Sequence, residues 1–264
     1  MTKTILLTGA TDGIGLAAAK ILVEQGHLVL LHGRSEAKLK SVHQSLAKIG
    51  QVGSYLADLS RMRDVEQLAA DIKAKHKQLD VLINNAGVFK TQTPVNEDGL
   101  DVRFVVNTLA PFLLTQRLLP LLGSASRVIN LSSAAQAPVD LDAMAGKTGP
   151  LSDNAAYAQS KLAITMWSSA LAQTLGDDGP AIVAVNPGSL LATNMVKTAY
   201  GIAGSDISIG ANILVRAALS DEFATATGRY FDNDAKTFAA PHPDATNANK
   251  SFELMDVINS LVAE

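Results

Sequence analysis

The chain has 264 residues, 47% of them hydrophobic, and sets 25 acidic against 22 basic side chains for a formal charge of −3, with no cysteine. That length suits one large α/β domain or two small ones, and the slightly acidic balance offers no field for counterion release, which argues against a nucleic-acid binder and for small-molecule partners. The lack of cysteine excludes disulfides, thiolate metal sites and a cysteine nucleophile.

An apolar β-branched run at 4–8 opens the chain with no leader-like segment, and no uninterrupted apolar run approaches the roughly 18 residues of a membrane span, so a cytoplasmic protein without membrane association is expected. Further strands are predicted at 28–32, 52–57, 81–84, 127–131, 181–186 and 229–231. Helical periodicity fills the gaps at 14–25, 36–49, 61–77, 99–122 with a break near Pro111, 154–175 and 208–219. The alternation is that of βαβ units, and it implies an α/β, Rossmann-type, doubly wound parallel sheet of about seven strands with helices on both faces. Nothing divides the chain, so residues 1–264 are read as a single domain. Two stretches break the rhythm. Residues 134–153 are rich in Gly, Pro and Ala, and residues 232–264 form an extension with an irregular part to 250 and an apolar, helix-like tail at 252–262. Residues 189–207 fit either a substrate lid or an amphipathic helix packed on the core.

The run from Thr8 to Gly15, Thr-Gly-Ala-Thr-Asp-Gly-Ile-Gly, follows the first strand and opens the first helix, the context in which backbone N–H groups approach a pyrophosphate. Asp12 there also has the chemistry of an N-cap. After the second strand, where a carboxylate would accept from an NAD ribose, stand Gly33, Arg34 and Ser35. A guanidinium can fork onto a 2′-phosphate, with Ser35 adding a hydroxyl and Lys38 a more distant charge, which favours NADP(H) over NAD(H). Asp12 acts against that preference unless it faces away.

Tyr157 and Lys161 are four residues apart in a helical stretch and share one face. An ammonium about 5 Å from a phenol at an effective dielectric of about 20 favours phenolate by about 3 kcal/mol, or about two pKa units. Tyr and Lys recur at this spacing by chance, so the surrounding motifs decide. His27, His32, His43, His76 and His242 are scattered without ligand spacing, and no metal is implied.

With Thr8 to Gly15, Asn84-Asn-Ala-Gly87 and Tyr157-x-x-x-Lys161 in order, the chain resembles the short-chain dehydrogenase/reductase family. The finer likeness, through His32-Gly-Arg34, the long segment before Tyr157 and the run from Gly228 to Asp232, is to retinol dehydrogenase-like reductases. The resemblance implies that Tyr157 is the acid/base, Lys161 lowers its pKa and grips ribose hydroxyls, Ser133 rather than Ser132 polarises the substrate oxygen, and Asn107 holds a water on Lys161. It further implies a cofactor site of Gly9, Thr11, Asp12, Gly13, Ile14, Gly15, Arg34, Ser35, Asp58, Leu59, Asn85, Ala86, Gly87, Tyr157, Lys161, Pro187, Gly188 and Thr193, with Asp58 meeting the adenine and Thr193 the nicotinamide carboxamide. Thr193 lies one residue farther from Gly188 than is common in the family, and Ser189 is the substitute. The expected activity is NADP(H)-dependent interconversion of a carbonyl and an alcohol on an apolar or aromatic small molecule, the other reading being a non-catalytic NADP(H)-binding regulator. The resemblance also implies a homodimer or homotetramer assembled through helices 99–122 and 154–175.

Overall fold

Four of the strands are mostly apolar because both of their faces are covered. In the computed structural model, which describes residues 1–263, β1 (Thr4–Leu7), β4 (Val81–Asn84), β5 (Arg127–Leu131) and β6 (Ala181–Asn186) are buried almost throughout. With β2 (Leu28–Gly33), β3 (Val52–Leu56), β7 (Tyr230–Asp232) and β8 (Thr237–Ala239) they form one sheet in the order β3-β2-β1-β4-β5-β6-β7-β8. Every pair is parallel except β7 with β8.

The eighth strand lies in a stretch expected to be irregular. Its hairpin turn, Asn233-Asp-Ala-Lys236, has no glycine and places Lys236 at φ +58°, so the Asn-Gly or Asp-Gly signal of a tight hairpin is missing from the sequence. Phe238 on β8 completes an aromatic cluster with Phe223 and Phe231, at centroid separations of 5.0 Å to each, and this packing holds the strand in place.

Helices cover both faces. On one lie α1 (Gly13–Glu24), α2 (Glu36–Leu46) and α9 (Ile207–Leu219), whose apolar sides meet Ile5, Leu7, Val29, Ile83 and Val185. On the other lie α3 (Met62–Lys75), α4 (Val102–Phe104), α5 (Ala110–Leu118), α7 (Asp153–Leu175) and α10 (Ala248–Ala263), around Phe104, Phe112 and a fully buried Trp167. The predicted break near Pro111 is a π-helical turn, Val105–Leu109, which joins α4 to α5 without interrupting them; Ala110 N–H donates to Val105 O, five residues back. Pro111 lacks an N–H and its ring would collide with the carbonyl of Asn107 in a regular helix, which accounts for the wider turn. The continuous helix Val102–Leu121 is long and apolar enough by composition to cross a bilayer, yet 72% of its most apolar window is buried inside the fold.

Stretch 134–153 contains one short helix, α6 (Leu141–Met144), capped by Asp140, and packs Val139, Leu141 and Leu151 on the core. Residues 194–200 form α8 (Asn194–Tyr200), capped by Thr193 and ended by Gly201 at φ +69°.

Candidate active site

The parallel strands bring their C-terminal ends to one edge of the sheet, and a groove of about 940 Å³ lies across them where the strand order reverses between β1 and β4. All the residues proposed above for the cofactor line it, as do Ser133, Tyr157 and Lys161.

The glycine loop is held from behind. Thr8 Oγ1 accepts from the N–H groups of Asn85 and Ala86, both at 3.0 Å, and Asn85 Nδ2 donates to the carbonyls of Thr8 at 2.8 Å and Gly9 at 3.1 Å. The Asn85 amide therefore fastens the loop after β1 to the loop after β4, so that its contribution to the groove is structural support. A side chain on Gly15 would start 2.2 Å from Gly9 O, so only glycine lets α1 begin this close to the loop. His32, 2% exposed, accepts from Gly9 N–H at Nδ1 (3.2 Å) and meets Ala57 O through Nε2 (3.1 Å). These partners require the neutral imidazole with its proton on Nε2, and burial lowers its pKa to about 4.

Tyr157 and Lys161 leave α7 on one face. The helix is anchored one turn earlier by Asp153, which pairs with the buried guanidinium of Arg103, itself bonded to Asp101. Ser133 lies close enough to the Tyr157 phenol to bear on its pKa, and the Lys161 ammonium lies 5.7 Å from the centre of the Tyr157 ring. Ser132 faces the other way, its hydroxyl bonded to Lys161 O at 3.0 Å and Thr165 Oγ1 at 2.7 Å. Lys161 Nζ donates to Leu131 O at 2.7 Å, and burial pulls its pKa down to about 8. Burial pushes the phenol of Tyr157 above its ordinary value, with the Ser133 hydroxyl acting the other way. Burial acts on the phenol in the direction opposite to the lowering expected from Lys161.

Asn107 is held behind the groove: its Nδ2 donates to Val88 O and Ser160 Oγ, and its Oδ1 accepts from Val88 N–H. The Thr193 hydroxyl lines the groove and caps α8 by accepting from Val196 N–H, which leaves its own hydrogen free. Ser189, the substitute, donates to Asp234 at 2.6 Å. Asp58 accepts from both the N–H and the hydroxyl of Ser60, and Ser35 caps α2.

At the far end, Arg34 is exposed and has no hydrogen bond or ion pair among the described residues. Asp12 turns toward α8: it caps α1, accepts from Asn194 Nδ2 at 2.6 Å and faces Lys38 Nζ at 3.6 Å. Phe89 was not singled out in the sequence, whereas Tyr200 falls in the stretch 189–207 that fits a lid or a packed helix. Phe89 packs edge-on against the Tyr157 ring at 4.8 Å, and Tyr200 of α8 packs on Phe89 at 5.8 Å. Spacing gives no hint of this, since the three rings come from separate segments. The stem of the α8 segment is pinned by Ala192 N–H to Ser205 O and Ser205 N–H to Leu190 O, both 2.7 Å, with Leu190 held at φ +52°.

The sequence pattern of the short chain dehydrogenase family matches residues 3–201. Human retinol dehydrogenase 13 is 32% identical over 92% of this chain and 79% of its own. Among solved structures, a protein from Mycobacterium paratuberculosis superposes with a TM-score of 0.84 at 26% identity, covering 99% of this chain and 93% of that one. The angucycline C-6 ketoreductase LanV with bound NADP superposes with a TM-score of 0.70 at 28% identity, covering 88% and 93%. The chain belongs to the short-chain dehydrogenase family and is retinol dehydrogenase-like within it. It is thereby an oxidoreductase of a family that uses NAD(P).

The groove suits such a cofactor on its own geometry. Gly13 takes φ +56° at the start of α1, Ala86 and Gly87 leave the floor without bulk, and the guanidinium of Arg34 stands unpaired at one end.

Proposed function

We propose that the protein is an NADP(H)-dependent oxidoreductase that interconverts a carbonyl and an alcohol on an apolar or aromatic small molecule, with Tyr157 as the acid/base. The observation that carries this reading is the grouping of Tyr157, Ser133 and Lys161 in one groove whose other end offers Arg34. When bound, the nicotinamide supplies the hydride chemistry. Ser133 donates a hydrogen bond to the substrate oxygen and polarises it. Tyr157, whose phenol burial keeps protonated at neutral pH, delivers its proton to the same oxygen, so the site is matched to carbonyl reduction. Lys161, charged below about pH 8, holds positive charge beneath the ring. Phe89 and Tyr200 present aromatic faces beside Tyr157, which supports a flat apolar substrate.

Purified protein with NADPH and a panel of aldehydes and ketones tests the reading. Turnover is expected to fall by at least about a thousandfold in Tyr157→Phe with NADPH still bound. A broad panel giving no turnover above that variant would remove the enzymatic assignment and leave a cofactor-binding regulator. Arg34→Ala is expected to lower kcat/KM for NADPH by roughly tenfold to a hundredfold, as the loss of a charge-assisted bond to phosphate requires, and to leave NADH almost unaffected. Equal losses with both cofactors would end the case for a 2′-phosphate contact.

A further inference from the structure

The Ser133 hydroxyl is only as well placed as the turn that carries it. Ser133 lies just beyond β5, and its Oγ accepts from Ala135 N–H at 3.1 Å, a local bond that leaves the hydroxyl hydrogen free to point into the groove. Its backbone carbonyl is held from behind by two side chains: Gln136 Nε2 donates at 2.9 Å and the Tyr230 hydroxyl at 3.2 Å. Tyr230 comes from β7, 97 residues away, and is 7% exposed. Neither side chain is among those that line the groove, and both meet the site through the Ser133 carbonyl. Burial, with the carboxylates of Asp232 and Asp234, keeps the Tyr230 phenol protonated far above its ordinary range, so that it remains a donor at any working pH. The same hairpin grips the base of the α8 segment: Asp234 accepts from the N–H and hydroxyl of Ser189 and from Asn186 Nδ2, and Asn233 Nδ2 donates to Pro187 O.

We propose that Tyr230 is a positioning residue, which fixes the Ser133 peptide from behind and so aims the Ser133 hydroxyl at the oxygen shared with Tyr157. Rotation of that peptide would carry the Ala135 N–H away from the Ser133 hydroxyl it holds, and among the described residues Tyr230 is the one restraint on that carbonyl that reaches across from another strand. The inference rests on the reading of Ser133 as the group that polarises the substrate.

The test is a double-mutant cycle in ketone reduction with NADPH, comparing the wild type, Tyr230→Phe, Ser133→Ala and the double variant, with NADPH affinity measured in parallel. Tyr230→Phe is expected to lower kcat about fivefold, the worth of one neutral hydrogen bond, with KM and NADPH affinity within about twofold of the wild type. In the Ser133→Ala background the same substitution is expected to have no further effect, because the hydroxyl it aims is gone. An equal loss in both backgrounds would show a general structural role and overturn the proposal, as would an unchanged kcat in Tyr230→Phe. Ser133→Ala alone separates the two levels. If it keeps full turnover, the reading of Ser133 fails and the inference with it; if it loses turnover while Tyr230→Phe does not, only the inference fails. Should Tyr230→Phe not fold, Gln136→Leu removes the other donor to the same carbonyl, and its loss is expected to depend on Ser133 in the same way, an additive loss again counting against the proposal.

Discussion

Lys161 is costly where it stands. A lysine whose pKa falls from 10.5 to about 8 on folding is disfavoured, at neutral pH, by about 3 kcal/mol relative to the unfolded chain, and this penalty disappears only as pH rises from 8 toward 10.5. The bond to Leu131 O recovers a part of it. Lys161→Met is therefore expected to raise the urea midpoint at pH 7, by about 1–2 kcal/mol in unfolding free energy, while abolishing turnover. A variant both inactive and less stable would show that the ammonium is needed for folding. That Tyr157 and Lys161 share a face was legible from their spacing, because i and i+4 on a helix always do, and the surrounding motifs marked the pair as a site. Their electrostatics were not, because desolvation depends on what covers them, here Phe89 and the strand ends.

At the scale of the element, the glycine loop depends on a neutral His32. With a folded pKa of about 4 against 6.5 in the unfolded chain, its contribution is complete above pH 6.5 and is lost as pH falls toward 4. The wild type should lose about 2 kcal/mol more than His32→Asn between pH 7 and pH 5, read as the difference of their urea unfolding free energies at the two values. Parallel losses would mean that the imidazole is not the acid-sensitive group. The α8 segment carries a second expectation. Tyr200 is 54% exposed and meets the rest of the fold chiefly through Phe89, so Tyr200→Ala should raise KM for aromatic ketones about threefold to tenfold and leave small aliphatic ketones unchanged. Equal changes for both substrate types would detach Tyr200 from substrate recognition.

Across the whole molecule, α10 matters most for assembly. The helices at 99–122 and 154–175 are those through which family resemblance implies a dimer or tetramer. In this chain α10 packs along α7, buries Leu254 and Ile258 completely, and brings Asn259 to Gln116 of α5. That face is partly occupied by the chain's own C-terminal helix, so a light-scattering mass of 27.6 kDa is expected. A mass of two or four times that value would place the contact on another face or require α10 to move aside.

The sequence by itself determined the alternation of strands and helices, the glycine loop and the Tyr157–Lys161 pair, since each rests on local spacing: period, turn chemistry and a shared helical face. Tertiary structure alone decided what is held by distant groups. Asn107 is spent on Val88 and Ser160, Thr193 on a helix cap, and Asp12 on Asn194, 182 residues away. Tyr230 on β7 reaches Ser133 past the intervening β6, and β8 exists because Phe238 finds Phe223 and Phe231. A hydrogen bond or an aromatic contact between remote segments leaves no periodicity in the chain, because its geometry arises only when the sheet orders its strands and brings their ends to one edge.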